Sequence, residues 1–325
     1  MIRRVKTFRE RWMRFWFEPV EPLNLGICRA LFFGAFYLFY LPQSFSAWGG
    51  VSEVFWVPIA LFEILPLLPS GLLVLTEVVW KVSLFTSCLG IFTRASTIIS
   101  FVLGLYLLGL PQNVGVPYHY DALVVFVLGI MAVSRCGDGF SIDRLISKWW
   151  HQGSNPSEQV AEMSGEYTWP VRAVWVMFAL IFLAAGVSKL RYAGLEWIFS
   201  DHMALVLTRA HYQLLNPLMS WGLYVAQYDW LYQPMAAVTV VLEICYPLAL
   251  LSRRARWVIV PAVFFMLIVI RMILGPPFYP FMICHLFWIP WDRLSRRLEV
   301  LPHRLSLRKL MPYDKKASQP DTTQR

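Results

Sequence analysis

The stretch VRAVWVMFALIFLAAGVSKLRYAGLEW, residues 171–197, decides the fold class of this chain. Apolar residues fill positions 173–187, and the charged Lys189 follows after Ser188. A helix needs about 20 predominantly apolar residues to cross roughly 30 Å of hydrocarbon. We therefore predict a membrane-spanning helix that ends at a lysine. Such a lysine is either an anchor that extends to the lipid headgroups or a working group at the membrane boundary.

The composition of the whole chain also indicates a membrane protein. Of its 325 residues, 58% are hydrophobic and only 15% are charged. A soluble domain carries nearer a quarter charged residues. The net charge of +9 comes from basic residues beside apolar segments. This placement favours orientation in a membrane and contact with anionic lipid, and it argues against nucleic-acid binding.

The apolar segments predict an all-α, polytopic membrane protein with about eight transmembrane helices. The predicted helices lie near residues 24–45, 71–92, 95–111, 121–135, 171–190, 231–252, 257–275 and 277–292. Two further stretches, 46–70 and 195–228, are interrupted by prolines or polar residues. We expect re-entrant or interfacial segments there.

This pattern predicts that the chain has three segments. Residues 1–16 carry six basic residues among aromatic ones, which predicts an amphipathic helix on the inner membrane surface. Residues 17–292 form the transmembrane domain, and residues 293–325 form a basic tail. Lysine and arginine are concentrated in alternate connections, so both termini are predicted to be cytoplasmic and Lys189 to lie at the outer face.

Several ionisable residues fall inside predicted spans, where each costs about 2.5–3.5 kcal/mol unless it is paired or hydrated. Glu77 and Lys81 are four positions apart and can neutralise each other on one helix. Arg29 needs a carboxylate or a lipid phosphate, and Glu243 is one possible partner. Arg271 lies near the outer end of its helix and is a candidate for substrate binding.

Polar residues also collect in the predicted outer connections. His119, Tyr120 and Asp121 begin one span, and His202 and His211 follow Lys189. Imidazoles, carboxylates and one amine on the same side could form a proton-transfer site. Helix capping and interfacial anchoring are the structural alternative. The three histidines lack the spacing of a metal site, and we predict no metal.

A lysine at a span end suits proton abstraction. Burial in low dielectric disfavours the charged ammonium, and a base that works near neutral pH needs a pKa near 7–8. A membrane-soluble quinol could approach laterally and lose a phenolic proton to Lys189. The alternative is that Lys189 and Arg191 only extend to the headgroups.

The segment AAGVSKL, followed by the Glu196–Trp197 pair, resembles the membrane core of the vitamin K-dependent γ-carboxylases. The wider bacterial group is known as horizontally transferred transmembrane (HTTM) domains. The resemblance covers roughly residues 15–292. It includes the segments FEPVEPLNLGICRALFFG, LGIFTRAS, PYHYDALVVFVLGIMAVSRCGDGFSID and the helix around Glu243.

The resemblance implies that Lys189 is the catalytic base, with a reduced quinone as co-substrate. A histidine assists this lysine in the family, and His119 lies about two residues from the matching position. Ser188 replaces the first lysine of the family's pair, and residues 191–195 displace the acidic–Trp element. No large extramembrane domain is expected after the core, so carboxylation of a docked protein is not expected.

Two hypotheses therefore remain open. One is a carboxylase-like membrane enzyme that oxidises or epoxidises a quinol, or acts as a lyase, at the outer face of a bacterial inner membrane. The other is a non-catalytic membrane protein that binds lipid or a protein partner. An enzyme needs polar groups that converge on Lys189, whereas a scaffold would direct Lys189 outward to the headgroups.

Overall fold

The computed structural model describes residues 7–114, 119–150, 163–214 and 217–295. Within these ranges the backbone forms fifteen α-helices joined by short 3-10 segments and one π-helical turn. The described residues contain no β-strand, and Val20 and Ser164 form an isolated bridge. The predicted all-α class is confirmed.

The helices are numbered in chain order. Their bounds are α1 Phe8–Phe17, α2 Leu23–Tyr40, α3 Ala60–Ile64, α4 Ser70–Leu89, α5 Thr93–Gly109, α6 His119–Val133, α7 Ile142–Trp150, α8 Trp169–Ala193, α9 Glu196–Phe199, α10 His202–Arg209, α11 Trp221–Val225, α12 Asp229–Cys245, α13 Leu248–Leu251, α14 Arg253–Ile273 and α15 Tyr279–Cys284.

Five helical segments of the described chain are long and apolar enough to cross a membrane. These are Leu23–Tyr40, Ser70–Leu89, Thr93–Asn113, Gly165–Ala193 and Arg253–Ile273. The apolar helix over Asp121–Val133 is shorter. This set agrees with an integral membrane protein, although it is smaller than the eight spans that the sequence predicts.

The remaining predicted spans are interrupted in the structure. The helix expected over 231–252 ends at Cys245, and α13 begins after Pro247, which has no backbone N–H to continue the ladder. The helix expected over 277–292 consists of α15 and the 3-10 segment His285–Trp288. The stretch 46–70 contains only two 3-10 segments and α3 before α4 begins.

The helices pack in two groups that share one core. Helix α4 lies against α2 and α5, and α5 lies against α6. Helix α8 lies against α12, while α6 and α15 contact α8 and α2, respectively. Aromatic side chains fill the interior, including Phe32, Trp80, Phe178 and Tyr246, all of which are fully buried. This packing fixes α8 and α12 side by side.

Helix α1 begins with a capping box, in which the Thr7 hydroxyl accepts from the Glu10 backbone N–H and the Glu10 carboxylate accepts from the Thr7 N–H. None of its residues is buried, and Phe8, Trp12 and Phe17 are exposed. A second unit begins at Pro290, and only its residues 290–295 are described. They form a single turn closed by hydrogen bonds from the backbone N–H groups of Arg293 and Leu294 to the Pro290 carbonyl.

Candidate functional site

Gly186 sets the approach of α8 to α12. A Cβ atom at this position would lie 2.8 Å from Cγ1 of Ile244 and 3.0 Å from Cβ of Glu243. Any larger side chain would therefore force the two helices apart. Lys189 lies three positions further along α8, on the same face as Gly186. The glycine thus brings the lysine within reach of the carboxylate on α12.

Lys189 and Glu243 form an ion pair across these two helices. The Lys189 ammonium donates to both carboxylate oxygens of Glu243, each at 2.7 Å. The side chain of Glu243 is 8% exposed and that of Lys189 is 20% exposed. Lys189 is therefore directed at a carboxylate within the helix pair, and it does not simply extend to the headgroups.

Trp197 covers this pair. The Lys189 Nζ atom lies 5.5 Å from the centroid of the Trp197 ring, a distance at which a cation is attracted to the indole. The Trp197 Nε1 atom is buried and has no hydrogen-bond partner among the described residues. His202, at the start of α10, packs against the same indole with ring centroids 4.6 Å apart. The site therefore combines an amine, a carboxylate, an unpaired indole donor and a nearby imidazole.

A second intramembrane ion pair lies on α4. The Lys81 ammonium is 2.6 Å from the Glu77 carboxylate, as the i,i+4 spacing predicts. Lys81 also donates to the carbonyls of Leu41 and Gln43, and Glu77 accepts from the Phe45 backbone N–H. These bonds attach the end of α2 to α4. The predicted pairing is confirmed, and its contacts indicate a structural role.

Arg29 does not pair with Glu243, so that predicted pairing is wrong. Arg29 is fully buried and donates to the backbone carbonyls of Cys136 at 3.3 Å and Phe140 at 2.6 Å. Sequence analysis considered a carboxylate or a phosphate as partner and overlooked carbonyls of a connecting loop. Gly90, with φ of 72°, leaves room for this guanidinium, because a Cβ there would lie 2.6 Å from Nη1.

Asp143 completes the same region. Its carboxylate accepts from the backbone N–H groups of Phe92 and Thr93, at 2.9 and 2.7 Å, and from the Thr93 hydroxyl. These bonds satisfy free donors at the start of α5. Burial raises the pKa of the neighbouring Cys136 thiol, which therefore stays protonated near neutral pH. Three of the segments that carry the family resemblance meet here in a structural cluster.

Two further predicted site residues have other contacts. Asp121 is buried and accepts a hydrogen bond from the Tyr40 hydroxyl at 3.1 Å. Arg271 donates from Nε to the Tyr279 hydroxyl at 3.0 Å and from Nη1 to the Gly275 carbonyl at 2.6 Å. The contacts described for both residues therefore tie helices and loops together.

The histidines differ in how far the structure describes them. The side chains of His119 and Tyr120 lie outside the described residues, so the predicted assistance to Lys189 stays a prediction. His211 lies in the π-helical turn beside Tyr212, and its buried Nδ1 has no described hydrogen-bond partner. No group of three His, Cys, Asp or Glu side chains suited to a metal occurs among the described residues.

Sequence reasoning did not assign Glu243 or Trp197 to the site. Glu243 was recognised as an intramembrane charge, but nothing in its position names Lys189, 54 residues earlier, as its partner. Trp197 was noted only as part of a motif. The available signal was the small residue at position 186, one turn before the lysine, which indicates close helix contact.

Comparison of this chain with known proteins identifies no relative. No family model, curated protein or solved structure matches this chain. The function must therefore be argued from the residues and their geometry.

Proposed function

We propose that this protein is a membrane enzyme of the vitamin K-dependent γ-carboxylase-like, or HTTM, class, in which Lys189 removes a proton from a reduced quinone. One observation carries the proposal. An amine and a carboxylate on neighbouring helices form a mostly buried pair, and an unpaired indole donor lies over it. An ionisable residue within a membrane span is by default a candidate functional group.

The proton path follows from the geometry of the pair. An ammonium cannot accept a proton, so Lys189 must first lose one. The Nζ–H···Oε hydrogen bond to Glu243 gives that proton an acceptor at 2.7 Å. Transfer along this bond leaves a neutral amine and a neutral carboxylic acid, and low dielectric favours the neutral forms. The amine then takes the phenolic proton, so that Glu243 holds the released proton and Lys189 is again charged.

A quinol fits the surroundings of this pair. The buried Trp197 Nε1–H, which lacks a described partner, can donate to a phenolate oxygen. The outer part of α8 and the turn after it expose Val187, Tyr192 and Leu195, which offers an apolar approach from the lipid. The bound quinol would supply the oxidisable ring, and the chain's residues would orient it and accept its proton.

We extend the proposal to topology. Helices α6 and α12 and the α15 segment would join the five long helices to give about eight membrane-crossing segments. The location would be a bacterial inner membrane, with cytoplasmic termini, anionic lipid at the basic termini and Lys189 on the outer face. The low number of basic residues in the outer connections supports this orientation. Carboxylation of a docked protein is not part of the proposal.

Quinol turnover by the purified, detergent-solubilised protein tests this function. Reduced menaquinone, vitamin K and ubiquinone are supplied under oxygen, and quinone and epoxide products are followed by chromatography. Lys189→Ala removes the base, and Lys189→Arg keeps the positive charge on a group that does not deprotonate. We expect both variants to lose turnover, whereas Lys81→Arg, which alters the other intramembrane pair, keeps it.

The second candidate function would give a different pattern. A lipid- or partner-binding protein uses the Lys189–Glu243 pair only to hold α8 against α12. Its wild type would turn over none of the three quinols, and Lys189→Arg would fold and behave like wild type. That result would overturn the enzymatic proposal.

A further inference from the structure

Two arginines lie over one tryptophan at the start of α8. The guanidinium carbons of Arg172 and Arg256 are 4.3 and 4.1 Å from the Trp175 ring centroid. Because both distances are measured from the same centroid, the two guanidinium carbons are separated by at most the sum of 4.3 and 4.1 Å. Trp288 stacks on Trp175, with centroids 4.4 Å apart and an interplanar angle of 4°. Two like charges from separate helices therefore lie against one stacked aromatic pair.

The described residues provide little negative charge for this pair. The Glu18 carboxylate is 3.7 Å from Arg172, beyond hydrogen-bond distance, and it is 52% exposed. The guanidinium group of Arg172 makes no hydrogen bond within the described ranges, although the side chain is only 18% exposed. Arg256 donates from Nε to the Ala249 carbonyl. The remaining guanidinium N–H groups of both arginines have no protein acceptor in those ranges.

The helix ends strengthen the positive potential. Arg172 lies in the first turn of α8, and Arg256 lies in the first turn of α14. The N-terminus of a helix carries a partial positive charge, which disfavours cations and favours anions there. Arginine in both first turns is therefore electrostatically unfavourable, and an anion bound nearby would offset this cost.

A partly apolar cleft lies next to Glu18, the carboxylate that approaches Arg172. It has a volume of about 560 Å³ and is lined by Met13, Arg14, Phe17, Glu18, Pro19 and Met163. Trp257, next to Arg256, is 67% exposed, as expected for a side chain at a membrane interface. The apolar part of the lining, Met13, Phe17, Pro19 and Met163, suits an acyl chain, which inorganic phosphate lacks.

We propose that Arg172 and Arg256 bind the phosphate group of an anionic phospholipid. The part of its acyl chains nearest the headgroup lies in the cleft next to Glu18. Arginine suits this ligand because its planar fork donates two parallel hydrogen bonds to phosphate oxygens. The site is at the opposite end of α8 from Lys189, about 25 Å away at 1.5 Å per residue. It is independent of the quinol chemistry.

Thermal unfolding of the full-length, detergent-solubilised protein tests this site. Phosphatidylglycerol, phosphatidylcholine or inorganic phosphate is added to wild type and to the double variant Arg172→Gln/Arg256→Gln. We expect phosphatidylglycerol to raise the Tm of wild type by several degrees, and the other two ligands to raise it little. The double variant should lose most of the shift. The control Arg253→Gln/Arg254→Gln removes the same charge from exposed positions and should keep most of it.

Three outcomes would overturn the proposal. The double variant could respond like wild type, the control could lose as much as the double variant, or inorganic phosphate could reproduce the whole shift. If the glutamine variant does not fold, Arg256→Lys keeps the charge and loses the planar fork. Its phosphatidylglycerol shift should then fall to about half that of wild type, and an unchanged shift would count against the site.

Discussion

The ammonium of Lys189 lies 2.7 Å from both carboxylate oxygens of Glu243, across the contact of α8 with α12. Gly186 permits this contact because the backbone of α8 meets the side chains of Ile244 and Glu243 there. A lysine that the sequence presents at the end of an apolar run is therefore held inside a helix pair.

The stability costs of removing Lys189 and of removing Glu243 should not be additive. Lys189→Met leaves the mostly buried Glu243 carboxylate uncompensated, which we expect to destabilise the protein by about 3–5 kcal/mol. The double variant Lys189→Met/Glu243→Met should cost clearly less than the sum of the two single changes. Unfolding of all four proteins in detergent measures this coupling, and strictly additive costs would contradict a direct interaction.

Gly186→Leu should separate the two helices. The added side chain has no room beside Ile244, so the Lys189–Glu243 distance should increase. We expect destabilisation of about 1–3 kcal/mol, as for overpacking in a core, and loss of quinol turnover. Ala184→Leu, at an exposed position of the same helix, is the matched control and should change little. Equal effects at both positions would argue against the close contact.

Asp143→Ala should weaken the inner cluster that also holds Arg29. The substitution removes one acceptor group for three donors at the start of α5. We expect a loss of about 1–2 kcal/mol, the usual cost of a helix cap, and a smaller loss for Asp143→Asn. Thermal unfolding measures both variants. Quinol turnover per folded molecule should be unchanged. A loss of turnover without a loss of stability would indicate that this cluster is part of the active site.

Cysteine labelling should report the orientation. Tyr192, near the end of α8, and Trp150, at the end of α7, are 81% and 76% exposed. In intact cells, a membrane-impermeant maleimide should label Tyr192→Cys and leave Trp150→Cys unlabelled until the membrane is permeabilised. Labelling of the unsubstituted chain measures the background from the native cysteines. The reverse pattern would place Lys189 on the inner face.

Local spacing made part of this structure predictable. Apolar runs locate α2, α4, α5, α8 and α14 within a few residues, because a span is a property of consecutive positions. The Glu77–Lys81 pair was also predictable, because one helical turn joins the two residues. The break between α12 and α13 follows from Pro247, whose effect on an otherwise apolar run was underestimated.

Contacts between distant segments were not predictable in the same way. Arg29 bonds to loop carbonyls more than 100 residues away, and backbone acceptors leave no mark in the sequence. Glu243 and Lys189 are 54 positions apart, and charge alone could equally have paired Glu243 with Arg29. Only the packing of α8 on α12 separates these alternatives.

Anaerobic difference spectroscopy of bound quinol tests the central claim most directly, because it observes proton removal before any reaction with oxygen. Reduced menaquinone is mixed with wild type, Lys189→Arg and Lys81→Arg, and the ultraviolet spectrum is compared with those of the neutral and deprotonated quinol. We expect the deprotonated spectrum with wild type and Lys81→Arg, and the neutral spectrum with Lys189→Arg. A deprotonated spectrum with Lys189→Arg, or a neutral spectrum with all three proteins, would contradict a role for Lys189 as the base.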